Sequence, residues 1–247
     1  MLTNGDFGRY IRSISLKREK VPSFDEFPFC IPAVRHLDML DLHPGVTFLV
    51  GENGTGKSTL LEAVAVAAGF NAEGGSRNFR FATKETHSSL SEYLRLVRSY
   101  RRPKDGFFLR AETFYNAATY LETEVPEALL VYGDISLHER SHGEAFMALL
   151  TERFRGNGLY ILDEPEAALS PARQMALLSL LHTLVKKESQ FIIATHSPIV
   201  MAYPDALIYV LSAEGIHETP YEKTEHYVVA RDFFTHTKAI IQELTSE

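Results

Sequence analysis

Val46-Thr47-Phe48-Leu49-Val50-Gly51-Glu52-Asn53-Gly54-Thr55-Gly56-Lys57-Ser58 is an apolar run that breaks into a glycine-rich loop and ends on a lysine and a serine. Its first five residues, apolar or β-branched without alternation, predict a buried strand. From Lys57 to Ala68 the pattern predicts a helix, stopped by Gly69. Between strand and helix, Gly51 to Ser58 matches G-x-x-x-x-G-K-[ST] in full. The pattern has a physical purpose. Its glycines let consecutive backbone N–H groups turn inward around phosphate oxygens, and the following helix adds its positive N-terminal end. Lys57 would reach the β- and γ-phosphates, while the Ser58 hydroxyl would ligate Mg²⁺. By chance such a pattern arises in roughly one chain in a hundred of this length, and its place between a strand and a helix removes most of that risk. Asn53, Gly54, Thr55, Gly56, Lys57, Ser58 and Thr59 are therefore the candidate phosphate-binding residues, and ATP with Mg²⁺ is the expected ligand.

Outward from this loop, more apolar runs are followed by turns and helical patterns. Leu159-Tyr160-Ile161-Leu162 predicts a strand that ends in Asp163 and Glu164. Ser170 reads as a helix N-cap with Pro171 at the first helical position. Met175, Leu178, Leu181, Leu184 and Val185 form the apolar side of that helix, and Lys186 and Lys187 close it. Phe191 to Ala194 and Leu207 to Leu211 are further buried strands. Apolar runs without alternation, separated by helices, imply an α/β fold with a mostly parallel sheet covered on both faces. The N-terminal 45 residues, with four prolines and several aromatics, are expected to add antiparallel strands. Residues from about 85 to 155 are expected to form a mostly helical subdomain. The 247 residues fit one such domain.

The acids at the end of the second strand suggest a division of labour. Asp163 would hold Mg²⁺ directly or through water, and Glu164 would orient or deprotonate an attacking water. Phe191 to Ala194 runs into Thr195-His196-Ser197-Pro198, which places His196 where strand C-termini converge on a ligand crevice. There it could bond the γ-phosphate or the attacking water.

Leu137-His138-Glu139-Arg140-Ser141-His142-Gly143-Glu144-Ala145-Phe146 supports three readings. His138, Glu139 and His142 match H-E-x-x-H, a zinc-hydrolase pattern that needs both histidines on one helical face and a further ligand. Ser141 to Glu144 is also a capping box opening a helix from Gly143 to Phe154. With Ser141 as N-cap, His138 precedes the helix and the two histidines cannot share a face. In the third reading Ser-x-Gly-Glu before a helix resembles the signature motif of ABC-type ATPases, compatible with the cap because a capped helix start is also an anion site.

Composition narrows the classes. Hydrophobic residues make up 45% of the chain and charged residues 23%, as in ordinary globular proteins. One cysteine, Cys30, excludes an internal disulfide. The first twenty residues hold no apolar signal-peptide core, and Glu62 and His196 interrupt the best candidates for a membrane span. A cytoplasmic protein with no integral membrane segment is expected. The net charge of −7 gives no global attraction to nucleic acid. Locally, Arg95, Arg98, Arg101, Arg102 and Lys104 form either a phosphate-tracking patch or a solvated helix face.

The ordered set GENGTGKST, SHGE, YILDEPEAALS and ATHS resembles the ABC-type ATPase superfamily, especially its soluble branch related to chromosome-maintenance, recombination-repair and overcoming-lysogenization-defect ATPases. GENGTGKSTLLEAVAVAAGFN, GFFLRAETFYN and DEPEAALSP are similar to small bacterial proteins labelled "AAA family ATPase". The resemblance implies a P-loop fold with an antiparallel part and a helical subdomain. It also implies ATP hydrolysis with Mg²⁺ and a head-to-tail homodimer that sandwiches ATP. Ser141, Gly143 and Glu144 would act on the partner's nucleotide. Two positions depart from the pattern: Glu112 stands where a Q-loop glutamine is expected and would contact Mg²⁺ or its water, and Ser170 replaces the D-loop aspartate. Phe24, Phe27 and Phe29 are candidates for stacking on adenine. The absence of a long coiled coil between the phosphate loop and the signature excludes a chromosome-clamping arm. The partner is left as nucleic acid or a protein effector. An ABC-transporter subunit is the alternative, and a phosphotransferase or a non-hydrolysing switch fits less well with the signature, His196 and Glu164.

Overall fold

The computed structural model describes residues 10–76, 88–110 and 142–246. Its strands are β1 (Ile11–Leu16), β2 (Met39–Asp41), β3 (Val46–Val50), β4 (Gly75–Ser76), β5 (Leu94–Arg98), β6 (Asp105–Arg110), β7 (Gly158–Asp163), β8 (Gln190–Ala194), β9 (Leu207–Ser212) and β10 (Gly215–Glu218). The longer helices are α1 (Lys57–Ala68), α2 (His142–Arg153), α3 (Pro171–Lys186) and α4 (Glu225–Thr245). Short one-turn helices lie between them.

The main sheet has the order β10-β9-β3-β8-β7-β6-β4. β9, β3, β8, β7 and β6 are parallel, and β10 and β4 close the two edges as antiparallel strands. Each central strand feeds side chains alternately to two buried faces, which is why its sequence reads as unbroken apolar residues. In β7, Leu159 and Ile161 join the core under α1 and the N-terminal segment, whereas Tyr160 and Leu162 join the core under α2 and α3. α1 ends at Gly69 and α3 begins at Ser170 with Pro171 in its first turn, both as the local sequence predicts. On α3 the buried stripe is Leu177, Leu181 and Leu184. Met175 falls off that 3.6-residue stripe and is 57% exposed, contrary to expectation.

The N-terminal segment does supply antiparallel strands. β1 lies between β2 and β5 in a three-stranded sheet. β5 and β6, however, lie within the stretch expected to be mostly helical. β5 alternates buried Leu94 and half-buried Leu96 with exposed Arg95, Val97 and Arg98, a period of two that suits an edge. β6 is buried over Gly106 to Leu109 because it sits between β7 and β4. The basic run is therefore not a helix face. Arg95 and Arg98 are on the outer strand of the small sheet, where charge discourages further strand pairing. Arg98 donates to the Ala67 carbonyl at 2.8 Å and Arg101 pairs with Glu188 at 3.2 Å.

Gln190 joins the two sheets. Fully buried at the start of β8, it accepts the N–H groups of Tyr10 and Ile11 at 2.8 and 2.9 Å. Its amide donates to the carbonyls of Ile11 and His43 at 2.8 and 3.0 Å. All of its hydrogen-bonding capacity is thus spent on backbone groups of the N-terminal segment and the turn before β3. Gln190→Leu keeps the bulk and leaves two buried N–H groups without acceptors, at a cost of about 3 kcal/mol. A calorimetric scan should show the melting temperature falling by roughly 6–12 °C; an unchanged melting temperature would remove Gln190 from the joint.

Candidate functional site

Because the central strands run parallel, their C-terminal ends emerge along one edge of the sheet. The register aligns them: Leu49 of β3 lies opposite Ala194 of β8, Ala194 opposite Asp163 of β7, and Asp163 opposite Arg110 of β6. One step beyond this row the chain carries the phosphate loop, the Thr195-His196 pair and Glu164. The sheet order alone therefore places His196 between the loop and the acids.

The loop has the conformation that its glycines permit. Gly54 has φ +83° and open space where a Cβ would lie, so backbone conformation rather than crowding requires glycine there. Asn53 and Gly54 are exposed, and Thr55 Oγ1 ties back to the Glu52 carbonyl at 2.9 Å. Gly56 caps α1, whose first ladder bond runs from Leu60 N–H to Gly56 O. Lys57, Ser58 and Thr59 thus occupy the first turn, where helical N–H groups point outward toward an anion.

Lys57 is 4% exposed and folds over the loop, donating to the carbonyls of Gly51 and Glu52 at 2.8 and 2.9 Å. Burial lowers its ammonium pKa from the ordinary value, and the negative charges of Glu164, Asp163 and Glu166 pull the other way. Ser58 Oγ donates to Asp163 Oδ1 at 3.0 Å across two elements 105 residues apart in the chain. Behind Asp163, Arg110 Nε approaches its Oδ2 at 3.6 Å while Arg110 Nη1 bonds Glu62 at 2.6 Å.

Glu164 has φ +49°, a left-handed conformation unusual for a residue with a side chain. Its N–H donates to the Ala194 carbonyl at 2.9 Å, and Pro165 opens the turn that follows. Such strain is typically stored where a side chain must be aimed. The carboxylate lies 3.4 Å from His196 Nε2. Glu166 accepts the backbone N–H of His196 at 2.6 Å, which pins the histidine loop to the acidic turn. Burial pushes the Glu166 carboxyl up, against the hydrogen bonds it accepts. Burial, then the nearby Lys57 charge, push His196 down, so its ring is neutral near pH 7.

Gly143 and Glu144 take another place. The contacts seen for them are with the segment after the acids rather than with the phosphate loop. A Cβ on Gly143 would sit 2.5 Å from Arg173 Nη1 and 2.8 Å from the Ala168 carbonyl oxygen, so this close approach requires glycine. Glu144 pairs with Arg173 at 3.0 Å. Glu112, His138, Glu139 and Ser141 lie outside the described residues. Of the adenine candidates, Phe29 is buried edge-on against Tyr93 at 4.8 Å and is spent on the core. Phe24 lies under Arg18 at 4.7 Å, while Phe27 is 68% exposed.

Sequence reasoning overlooked Glu166, His226 and the Arg110–Glu62 pair. An arginine closing the apolar run Phe107-Phe108-Leu109 and a glutamate inside an otherwise apolar turn were local signals. His226 carried none. Among the described residues, no helix is long and apolar enough to cross a membrane.

Comparison with known proteins finds likenesses over most of the chain. Residues 26–117 match the family model described as "AAA domain", and residues 132–202 match "AAA domain, putative AbiEii toxin, Type IV TA system". A Streptomyces coelicolor protein named "Putative ABC transporter ATP-binding protein" is 30% identical over 224 residues, which cover 83% of this chain and 36% of that protein. The chain therefore spans about a third of that relative's length. Among solved structures, cbiO1 from Clostridium perfringens, described as part of the ABC transporter complex cbiONQ, has a TM-score of 0.51 at 18% identity, covering 94% of this chain and 97% of its own. A "putative metal-chelate type ABC transporter" in an inward-facing conformation also has a TM-score of 0.51, at 16% identity, covering 90% of this chain and 88% of its own. These two likenesses concern the fold. With the phosphate loop on β3, the acids on β7 and the histidine on β8 in the order the fold demands, the chain belongs to the ABC-type P-loop ATPase superfamily.

Proposed function

We propose that this chain binds ATP with Mg²⁺ and hydrolyses it to ADP and phosphate, in a head-to-tail homodimer that encloses the nucleotide. The observation that carries the reading is the meeting of Lys57, Ser58, Asp163, Glu164 and His196 at one sheet edge, with Ser58 and Asp163 3.0 Å apart and Glu164 and His196 3.4 Å apart. Ser58 Oγ and Asp163 Oδ1 are a hydroxyl and carboxylate pair of the kind that holds Mg²⁺ together with phosphates and water, so the residues present fit the ion. When bound, Mg²⁺ supplies positive charge to the β- and γ-phosphate oxygens. The loop amides and Lys57 hold the phosphates, Glu164 takes the proton of the attacking water, and His196 orients it. Glu112 is proposed to reach the ion or its water, and Ser141, Gly143 and Glu144 to close over the partner's nucleotide as a helix N-terminus.

The name of the Streptomyces relative favours a second reading, an ATP-binding subunit that docks on separate membrane chains. Recovery of the protein with membranes would support it. A stand-alone cytoplasmic ATPase acting on nucleic acid or a protein effector stays in the supernatant.

The test of the sandwich is ATP turnover per protomer across protein concentration, with Mg²⁺ present. Specific activity should rise with concentration as each site is completed in trans. A flat profile from a species that light scattering weighs as a monomer would overturn the dimer.

A further inference from the structure

α4 begins beside the site. Thr224 caps it by accepting the Tyr227 N–H at 3.4 Å, and Tyr221 O–H donates to the Pro198 carbonyl at 2.8 Å, just past the histidine loop. This anchoring places His226, in the first turn of α4, with its Nε2 3.4 Å from His196 Nδ1 and the two ring centroids 5.6 Å apart. His196 therefore has a different neighbour at each ring nitrogen: His226 at Nδ1, and Glu164 at Nε2.

Two neutral imidazoles can share only one proton between them, and the third group decides where it lies. With the proton on His196 Nδ1, its Nε2 would turn a lone pair toward the Glu164 carboxylate, which is repulsive. With Nε2 protonated, His196 Nδ1 is bare and needs a donor, and His226 Nε2–H is the one within reach. The groups around the pair are Glu164 and Glu166 from the acidic turn, Lys57 from the phosphate loop and Glu225 from α4. Burial lowers both histidine pKa values, Lys57 lowers His196 further and His196 lowers His226 further, so the neutral pair is the state at physiological pH.

We propose that His226 is a positioning residue that fixes His196 as its Nε2–H tautomer, so that the ring edge facing Glu164 and the phosphate loop is a hydrogen-bond donor. The inference deepens the hydrolytic reading above and rests on it for its consequence, not for its geometry. The oxygen of the attacking water and a γ-phosphate oxygen both accept hydrogen bonds, and of the two neutral tautomers the Nε2–H form presents a donor on that edge. Through His226, the setting of α4 then becomes a condition for catalysis.

The experiment is long-range ¹H–¹⁵N correlation of the full chain labelled with ¹⁵N-histidine, without nucleotide, with His196 assigned by its loss in His196→Gln. The wild type should show His196 protonated at Nε2 and bare at Nδ1. In His226→Phe, which keeps a ring and removes the donor, that single tautomer should give way to a mixture. Turnover should drop about tenfold, the rate equivalent of one neutral hydrogen bond, with KM within about twofold. His226→Gln, which retains an N–H donor, should keep the wild-type tautomer and most of the turnover. An Nδ1–H tautomer in the wild type, or a His196 spectrum unmoved by His226→Phe, overturns the proposal. If His226→Phe fails to fold, the wild-type tautomer and the glutamine variant decide the matter. These spectra need no activity, so a failure of the hydrolytic reading would show itself elsewhere, as normal turnover in a Glu164 variant.

Discussion

Glu164→Gln should lower ATP turnover by about 10²–10⁴ while leaving nucleotide binding in place, the loss expected when a general base is removed. The substitution keeps size and shape, and the residue's unusual backbone is held from outside the side chain. Its N–H is bonded to the Ala194 carbonyl at 2.9 Å, and Pro165 fixes the next residue. What changes is chemical: a carboxylate that can accept a proton becomes an amide that cannot. The side chain is 37% exposed, which leaves room for a water beside it, unlike neighbouring Asp163 at 8%. The two acids are therefore separated by environment as well as by direction, one turned into the Ser58 pocket and the other toward the solvent mouth. Mg-ATP affinity measured by calorimetry should stay within a few-fold of wild type while steady-state turnover collapses. Turnover near wild type would mean that another group takes the proton.

The parts of this site that could be read in advance are those built from contiguous residues. Gly51 to Ser58 carries its own geometry, because loop, helix start and lysine reach follow from one short segment. Asp163-Glu164 and Thr195-His196 were legible because each closes an apolar strand, and parallel strands end on a shared edge. Glu166, Arg110 and His226 were not legible as parts of the site, since their meaning depends on register and docking. Arg110 reaches Asp163 only because β6 pairs with β7 in that register. His226 is thirty residues from His196 and meets it through the path of α4. The same limit explains the misreading of residues 94–110. Leu94 to Arg98 is short and basic, which suits a solvated helix as well as an edge strand, and pairing with β1 decides between them. Phe29 had the chemistry to stack on a base, but its ring went into the core with Tyr93.

Lys57→Ala should weaken Mg-ATP binding by about a hundredfold or more, the loss of a charge-assisted contact to phosphate in a site partly shielded from water. The ammonium is gathered over the loop by the carbonyls of Gly51 and Glu52. Its positive charge is thus preorganised at low cost in side-chain entropy, and a phosphate that enters exchanges carbonyl partners for anionic oxygens. Burial lowers its pKa, and the nearby Glu164, Asp163 and Glu166 carboxylates pull the other way. Alanine removes this charge and keeps the helix, since it is the strongest helix former at the first position of α1. Lys57→Met separates charge from bulk. It fills the same buried space without the ammonium, and it should bind as poorly as the alanine variant. Binding measured by titration calorimetry, beside a thermal melt of each variant, distinguishes a lost ligand contact from a lost fold. Undiminished affinity in a folded Lys57→Ala protein would take the phosphate loop out of nucleotide recognition, and the roles of Ser58, Asp163 and Glu164 would then have to be sought with a different ligand.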